Sequence, residues 1–221
     1  YCTFAQRYVI IMESVEKKVA QQLLEIEAVQ LNMEKPFEWA SGWLSPIYCD
    51  NRKVLSVPPV RNMVCEALCQ SILHNYPSVE VIAGVATGAI AMGALVADRL
   101  DKPFIYIRPK RKDHGTGAQI EGKLEPKSKV VVVEDLISTG HSAISAVECL
   151  RISCADVLGV VAIFSYNFDV ARRAFEKSNC ELHTLTNYNT LIQEAAERNY
   201  INEEQLKTLK VWRLTPNTWG R

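Results

Sequence analysis

"KVVVVEDLISTGHSA", Lys129 to Ala143, decides how this chain is read. Four consecutive valines, Val130 to Val133, suit a strand covered on both faces, because a half-solvated strand alternates apolar and polar residues. The ribbon then carries Glu134 and Asp135 to the rim of the sheet, and "STGHS" (138–142) turns into a helix. Gly140 permits a tight backbone there, and the free N–H groups of the helix start point outward with the positive end of its dipole. A turn of that kind receives a phosphate monoester. The hydroxyls of Ser138, Thr139 and Ser142 add donors. Two adjacent carboxylates would accept hydrogen bonds from vicinal sugar hydroxyls, stabilise positive charge, or meet Mg2+ through water. A Ser/Thr/Gly turn by itself is an ordinary helix cap; four valines, an acidic pair and S-T-G-x-S in succession are a much rarer combination.

Strands and helices alternate on both sides of this stretch. "VEVIAGVA" (79–86), "PFIYIR" (103–108), "DVLGVVAIFSY" (156–166) and "ELHTLTN" (181–187) read as strands. Helices are expected over 59–75, 87–100, 141–153 and 190–201, with an amphipathic one over 13–29, where Val15, Val19, Leu23, Leu24 and Ile26 fall at helical spacing. Repeated β-α-β units with continuous Val/Ile runs mean an α/β fold, a parallel twisted sheet with helices on both faces. Ligands of such sheets bind beyond the carboxyl ends of the strands at a topological switch point. The loops that leave those ends follow Ala86, Arg108 and Asp135.

Composition narrows the possibilities. Lys plus Arg and Asp plus Glu both number 25, for a formal net charge of zero. No global field therefore recruits nucleic acid or an anionic membrane, and electrostatic recognition has to be local. No apolar run reaches the roughly 18 residues of a membrane span. The seven cysteines form no C-x-x-C pair, and Cys65 and Cys69, four apart, stack on one helix face as small buried side chains. Reduced thiols without a secretory signal suggest the cytoplasm. Residues 1–11 fit poorly with the helical pattern beyond them and are read as an N-terminal extension before Met12.

Three further stretches carry candidate chemistry. "RPKRKDHGTGAQIEG" (108–122) sets Arg108, Lys110, Arg111, Lys112 and His114 in a polar loop with Gly115 and Gly117 as hinge candidates. A charge run is usually a solvated surface, but this one follows a buried strand and suits a lid that brings cations over a polyanion. "FEWASGWLSPIYCDNR" (37–52) sits in an irregular, hairpin-like region rich in Trp and Pro, and "GVATGAIA" (84–91) is a tight strand-to-helix turn.

The block "VVVEDLISTGHSA" (131–143) resembles the 5-phosphoribosyl-1-pyrophosphate (PRPP) signature of type I phosphoribosyltransferases. The lid stretch resembles the catalytic loop of the orotate phosphoribosyltransferase family, and 37–52 resembles that family's N-terminal hood. The resemblance covers about residues 13–201. It implies one phosphoribosyltransferase domain over 12–221, with a hood of about 12–58 and a core of about 59–201. It further implies transfer of phosphoribose from PRPP to orotate with Mg2+, by a homodimer that shares lid 109–122 between subunits. Lys112, His114 and Asp135 would be catalytic. PRPP would be held by Arg108, Lys112, His114, Thr87, Gly88, Glu134, Asp135, Leu136, Ile137, Ser138, Thr139, Gly140, His141 and Ser142. Orotate would meet Ser138, Tyr48 and backbone N–H groups at Ser41 and Gly42. No side chain is assigned as a dedicated metal ligand.

The chain departs from the family pattern at four places. Pro109 stands where relatives have a second Lys, Ala40 where many have a hood Lys, Thr87 where some have Lys, and Tyr166–Asn167 where several have an Arg. A phosphoribosyltransferase for another base and a non-catalytic PRPP-binding regulator are the alternatives. The cationic lid, and the lack of a basic recognition helix, argue against the regulator.

Overall fold

The computed structural model describes residues 4–39, 42–109 and 119–219, with residues 4–14 described as backbone only. Helix α1 (Phe4–Glu25) leads into an irregular region of short strands: β1 (Val29–Leu31), β2 (Phe37–Glu38), β3 (Leu44–Ser45) and β4 (Ile47–Cys49). β1 pairs antiparallel with β4, and β2 with β3. One 3-10 turn (Asn51–Ser56) then connects to α2 (Pro58–Asn75), which has proline in its first turn, where a missing N–H costs nothing.

The core follows as β5 (Val81–Val85), α3 (Ile90–Arg99), β6 (Phe104–Ile107), β7 (Ile120–Glu121), β8 (Lys129–Ile137), α4 (His141–Ile152), β9 (Asp156–Ser165), α5 (Asp169–Lys177) and β10 (Leu182–Asn187). Helices α6 (Tyr188–Glu197) and α7 (Glu203–Leu214) close the chain. The six-stranded sheet has the order β10-β9-β8-β5-β6-β7, parallel except for β7, which runs antiparallel to β6. The chain leaves β5 towards β6 but returns to β8 on the other side, so the topological switch point lies between the ends of β5 and β8.

The valine run explains why the layers pack as they do. Val131 and Val133 join the cluster of α1, α2, α3 and α6, whereas Val130 and Val132 join the cluster of α4 and α5. All four are fully buried, at roughly 1.5–3 kcal/mol each of apolar burial.

Several boundaries differ from the sequence expectation. The first helix starts at Phe4 and ends at Glu25 instead of spanning 13–29, so residues 4–11 belong to it. α3 begins at Ile90, which leaves Thr87 and Gly88 in a turn and not in the helix. β8 runs on through Ile137, two residues past the strand of 129–135 that the sequence suggests, with Glu134 and Asp135 inside it as expected. The polar 109–128 stretch contains β7, and the tail contains α7; neither was expected.

Val132→Ala should lower stability by about 2–3 kcal/mol, from two lost methyl groups and the cavity they leave. In thermal unfolding this is a Tm loss of about 4–10 °C. Val170→Ala, at an exposed position, should shift Tm by less than about 2 °C.

Candidate active site

A cleft of about 380 Å3 opens at the switch point, bounded by Asp50 and Arg52, by Ala86–Gly88, and by Glu134–Leu136 with Ser138 and Ser142. The fold thus brings together Thr87, Gly88, Glu134, Asp135, Leu136, Ser138 and Ser142, all of them expected from the sequence to share one site.

β8 supplies the acids. Successive strand side chains leave on opposite faces, so the neighbouring carboxyls do not act as twins. Asp135 faces the turn after β5, where Gly88 packs against it; a Cβ on Gly88 would lie 2.5 Å from Asp135 Cγ. The Ala86–Thr87 peptide of that turn is cis. Glu134 is only 4% exposed, and its Oε1 accepts a 3.0 Å hydrogen bond from the Asp135 N–H. Burial first, and the Asp135 carboxyl second, push its pKa well above the usual carboxylate value.

After Ile137 the chain turns at Ser138–Gly140 into α4. Gly140 is the N-cap, at φ 80°, and no side chain caps the helix. Its first N–H groups therefore have no side-chain partner from the cap residue, and anion binding at a helix N-terminus answers that need. His141 and Ser142 are exposed there, and Ser138 and Thr139 half-buried. Ile137 is buried in the core, so its expected contribution to binding reduces to shaping the turn.

Arg108 reaches this helix start through a small cavity it shares with His141 and Ser142. Its Nη1 is buried without a hydrogen bond and lies 3.7 Å from Glu121 Oε1. Arg108 N donates to Gln119 O, and Gln119 Nε2 donates to Arg108 O, both at 2.9 Å. These bonds staple together the two ends of the 110–118 segment. Lys112, His114 and Ser41 lie outside the described residues.

The end of β4 and the loop after it border the cleft through Cys49, Asp50 and Arg52, whereas Tyr48 is not among the residues that line it. Tyr48, 41% exposed, stands 5.6 Å from Phe37 between ring centroids, an aromatic surface on which a flat ring can stack. Gly42 departs from expectation: its N–H donates to Trp39 O at 2.7 Å, closing the hairpin, and is not available to a ligand. The region is tied to the acids by buried Asn51, whose Nδ2 donates to Asp135 O at 2.6 Å. The Cys49 thiol donates to Asn51 Oδ1 at 3.3 Å. Burial and the nearby Asp135 and Asp50 raise that thiol well above its ordinary pKa, so it is no nucleophile.

Sequence reasoning missed Asn51, Arg52 and the tail. Fully buried Trp212 of α7 donates from Nε1 to Leu44 O at 3.3 Å. Its ring packs within 5.5–6.0 Å of Trp39, Tyr166, Phe168 and Tyr188. Arg213 Nη1 donates to Asn167 O at 2.6 Å. α7 thereby clamps the β2–β3 hairpin onto the loop that leaves β9. A larger cavity of about 620 Å3 lies between α5 and β10; it lacks the acidic pair and the open helix start.

Two measurements check this geometry. Glu134 with a raised folded-state pKa holds its proton longer than it does unfolded. The two states are alike below about pH 4.5, its unperturbed value, and the folded state is penalised as pH rises above that. Glu134→Gln should therefore gain stability over the parent chain as pH increases from 4.5 to 7, and match it at lower pH. Trp212→Ala should cost about 3–5 kcal/mol and accelerate amide exchange at residues 37–45 and 165–168 before that of β8.

Comparisons with known proteins agree with this architecture. The Phosphoribosyl transferase domain family matches residues 59–197. The chain is 52% identical over 205 residues to the orotate phosphoribosyltransferase of Cytophaga hutchinsonii, covering 93% of this chain and 98% of that one. It is 51% identical over 208 residues to that of Listeria innocua, covering 94% and 100%. Among solved structures, the orotate phosphoribosyltransferase of Aeropyrum pernix superposes with a TM-score of 0.71 at 28% identity, covering 83% of this chain and 99% of that one. Leishmania donovani UMP synthase gives 0.76 at 25% identity, covering 90% of this chain and 42% of that one. Identity near one half along almost the whole length of both partners reflects common descent, and the chain belongs to the orotate phosphoribosyltransferase family.

Proposed function

We propose that the protein transfers the 5-phosphoribosyl group of PRPP to N1 of orotate, giving orotidine 5′-phosphate and pyrophosphate in pyrimidine synthesis. The observation that carries this reading is the convergence of Asp135, the 86–88 turn and the uncapped α4 start on one cleft at the switch point. A sugar with a 5-phosphate and a C1 diphosphate has complementary parts. The α4 start takes the 5-phosphate, the carboxyls take the ribose hydroxyls, and the 86–88 turn meets the diphosphate. Tyr48 and Ser138 flank the base.

Displacement proceeds as the N1–C1′ bond forms and the C1′–O bond to pyrophosphate breaks, with positive charge building on the ribose ring and the N1 proton of orotate released. Such a state needs no strong protein nucleophile; it needs the leaving charge neutralised and water kept away. Lys112, His114 and Arg108 serve that purpose from the lid over 109–122, and the 108–119 staple gives the lid fixed ends. Lid exchange between the subunits of a homodimer belongs to this reading.

Mg2+ fits the same cleft. Among the described residues no three His, Cys, Asp or Glu side chains gather into a metal cage. Mg2+ typically keeps several waters and takes one or two carboxylates plus substrate phosphates, and Asp135, which lines the cleft, is the carboxylate that would serve it. Bound there with PRPP, the ion would offset charge on the departing pyrophosphate. A reducing cytoplasmic setting suits the six cysteine thiols among the described residues. Among those residues no helix is long and apolar enough to cross a membrane.

Pyrophosphate release from PRPP, measured over a panel of bases, tests the reading: release should require orotate and be absent with adenine, hypoxanthine or uracil. Release with a purine instead, or PRPP binding without any turnover, would refute it. Lys112→Ala should cut kcat about 100-fold or more with PRPP affinity little changed. Mixing Lys112→Ala subunits with Asp135→Asn subunits should restore part of the activity if lids cross the dimer; mixed dimers without recovery would place the lid in its own subunit.

A further inference from the structure

We propose that Arg52 is the residue that reads the carboxylate of the base, an inference that rests on the orotate reading above. Among the described residues lining the cleft, Arg52 is the sole cation. Its side chain is 60% exposed, so it is not consumed by the core.

Its geometry is that of a held fork. Asp50 Oδ1 accepts from Arg52 Nε at 2.6 Å, and Asp50 Oδ2 accepts from Nη2 at 3.0 Å. The Asp50 side chain also accepts from the Arg52 backbone N–H at 3.2 Å, as the cap of the 3-10 turn. One edge of the guanidinium is thereby fixed to its own loop. Nη1 is left to present its two N–H donors away from Asp50. A planar guanidinium fixed along one edge suits a carboxylate better than a mobile ammonium does.

Position selects which anion it meets. Arg52 follows β4, which carries the stacking surface of Tyr48, and it lines the cleft together with Asp135. The strand before it leads to the base end and Asp135 marks the ribose end, so Arg52 stands where the two meet. The carboxylate of orotate is bonded to C6, the ring atom next to N1, and N1 is the atom that joins the ribose. That carboxylate must lie where the two ends meet. The leaving diphosphate, by contrast, belongs with the 86–88 turn and the lid.

The test compares ligands that differ by this one group. Orotidine 5′-phosphate and uridine 5′-phosphate differ only in the carboxylate, so their affinity ratio isolates it. The parent protein should bind the first more tightly. Arg52→Ala should reduce that preference by roughly 10–100-fold and raise KM for orotate similarly, while KM for PRPP stays within about twofold. Arg52→Lys, which keeps charge but not the fork, should recover only part. Unfolding curves of each variant exclude a trivial loss of structure. An unchanged ratio of the two nucleotides in Arg52→Ala overturns the proposal. So does a raised KM for PRPP with the ratio intact, which would assign Arg52 to the leaving group. Failure of the parent protein to turn over orotate would instead overturn the reading on which this inference rests.

Discussion

Strand β8 has nowhere to turn. Val130 and Val132 are embedded among residues of α4 and α5, and Val131 and Val133 among those of the opposite layer. A one-residue slip would exchange the two sets and misplace every side chain beyond them. This register holds Asp135 against Gly88, and it leaves Glu134 buried beneath its neighbour with a reluctance to ionise. The two carboxyls are adjacent in sequence but sit in different surroundings. The site at the switch point is thus a consequence of sheet packing carried a few residues past the end of the core.

What could be read from the sequence depends on the distance over which each feature is determined. The acidic pair and the S-T-G-H-S turn lie within nine residues, 134–142, and their chemistry is local, so they were legible. The parallel sheet was legible from its continuous Val/Ile strands. β7 was not, because two residues returning along β6 leave no periodicity to detect. α7 was hidden for another reason. Its burial depends on Trp212 meeting Leu44, 168 positions away, and nothing nearby in the chain announces such a partner. Asn51 is a similar case: its bond to Asp135 spans 84 positions. Gly42 shows the converse, since its motif suggested an open N–H and the hairpin had already claimed it.

The hood gains its rigidity from elements remote in sequence. Trp39 packs against Tyr166 at 5.0 Å, and Trp212 packs edge-on against Trp39 at 5.8 Å. Aromatic pairs of this kind add about 0.5–1.5 kcal/mol each beyond their buried area. Strands β2 and β3 have two residues apiece and are too short to be stable alone. The chain's last helix thus does for the hood what α4 does for β8: it supplies the second face.

Charge in the cleft obeys a related economy. The chain has no net charge to draw a polyanion, so the attraction must come from oriented local groups. Each described arginine near the cleft has a carboxylate of its own: Asp50 for Arg52, and Glu121 for Arg108. These partners do more than neutralise. A guanidinium without one would be drawn to Glu134 and Asp135, the acids of the same cleft, and fill the space that a sugar must enter. Held by carboxylates outside the acidic pair, Asp50 in the same turn and Glu121 on β7, the cations stay apart from it. The cleft therefore keeps donors and acceptors separated before any substrate arrives, and binding does not first have to break an internal salt bridge across it.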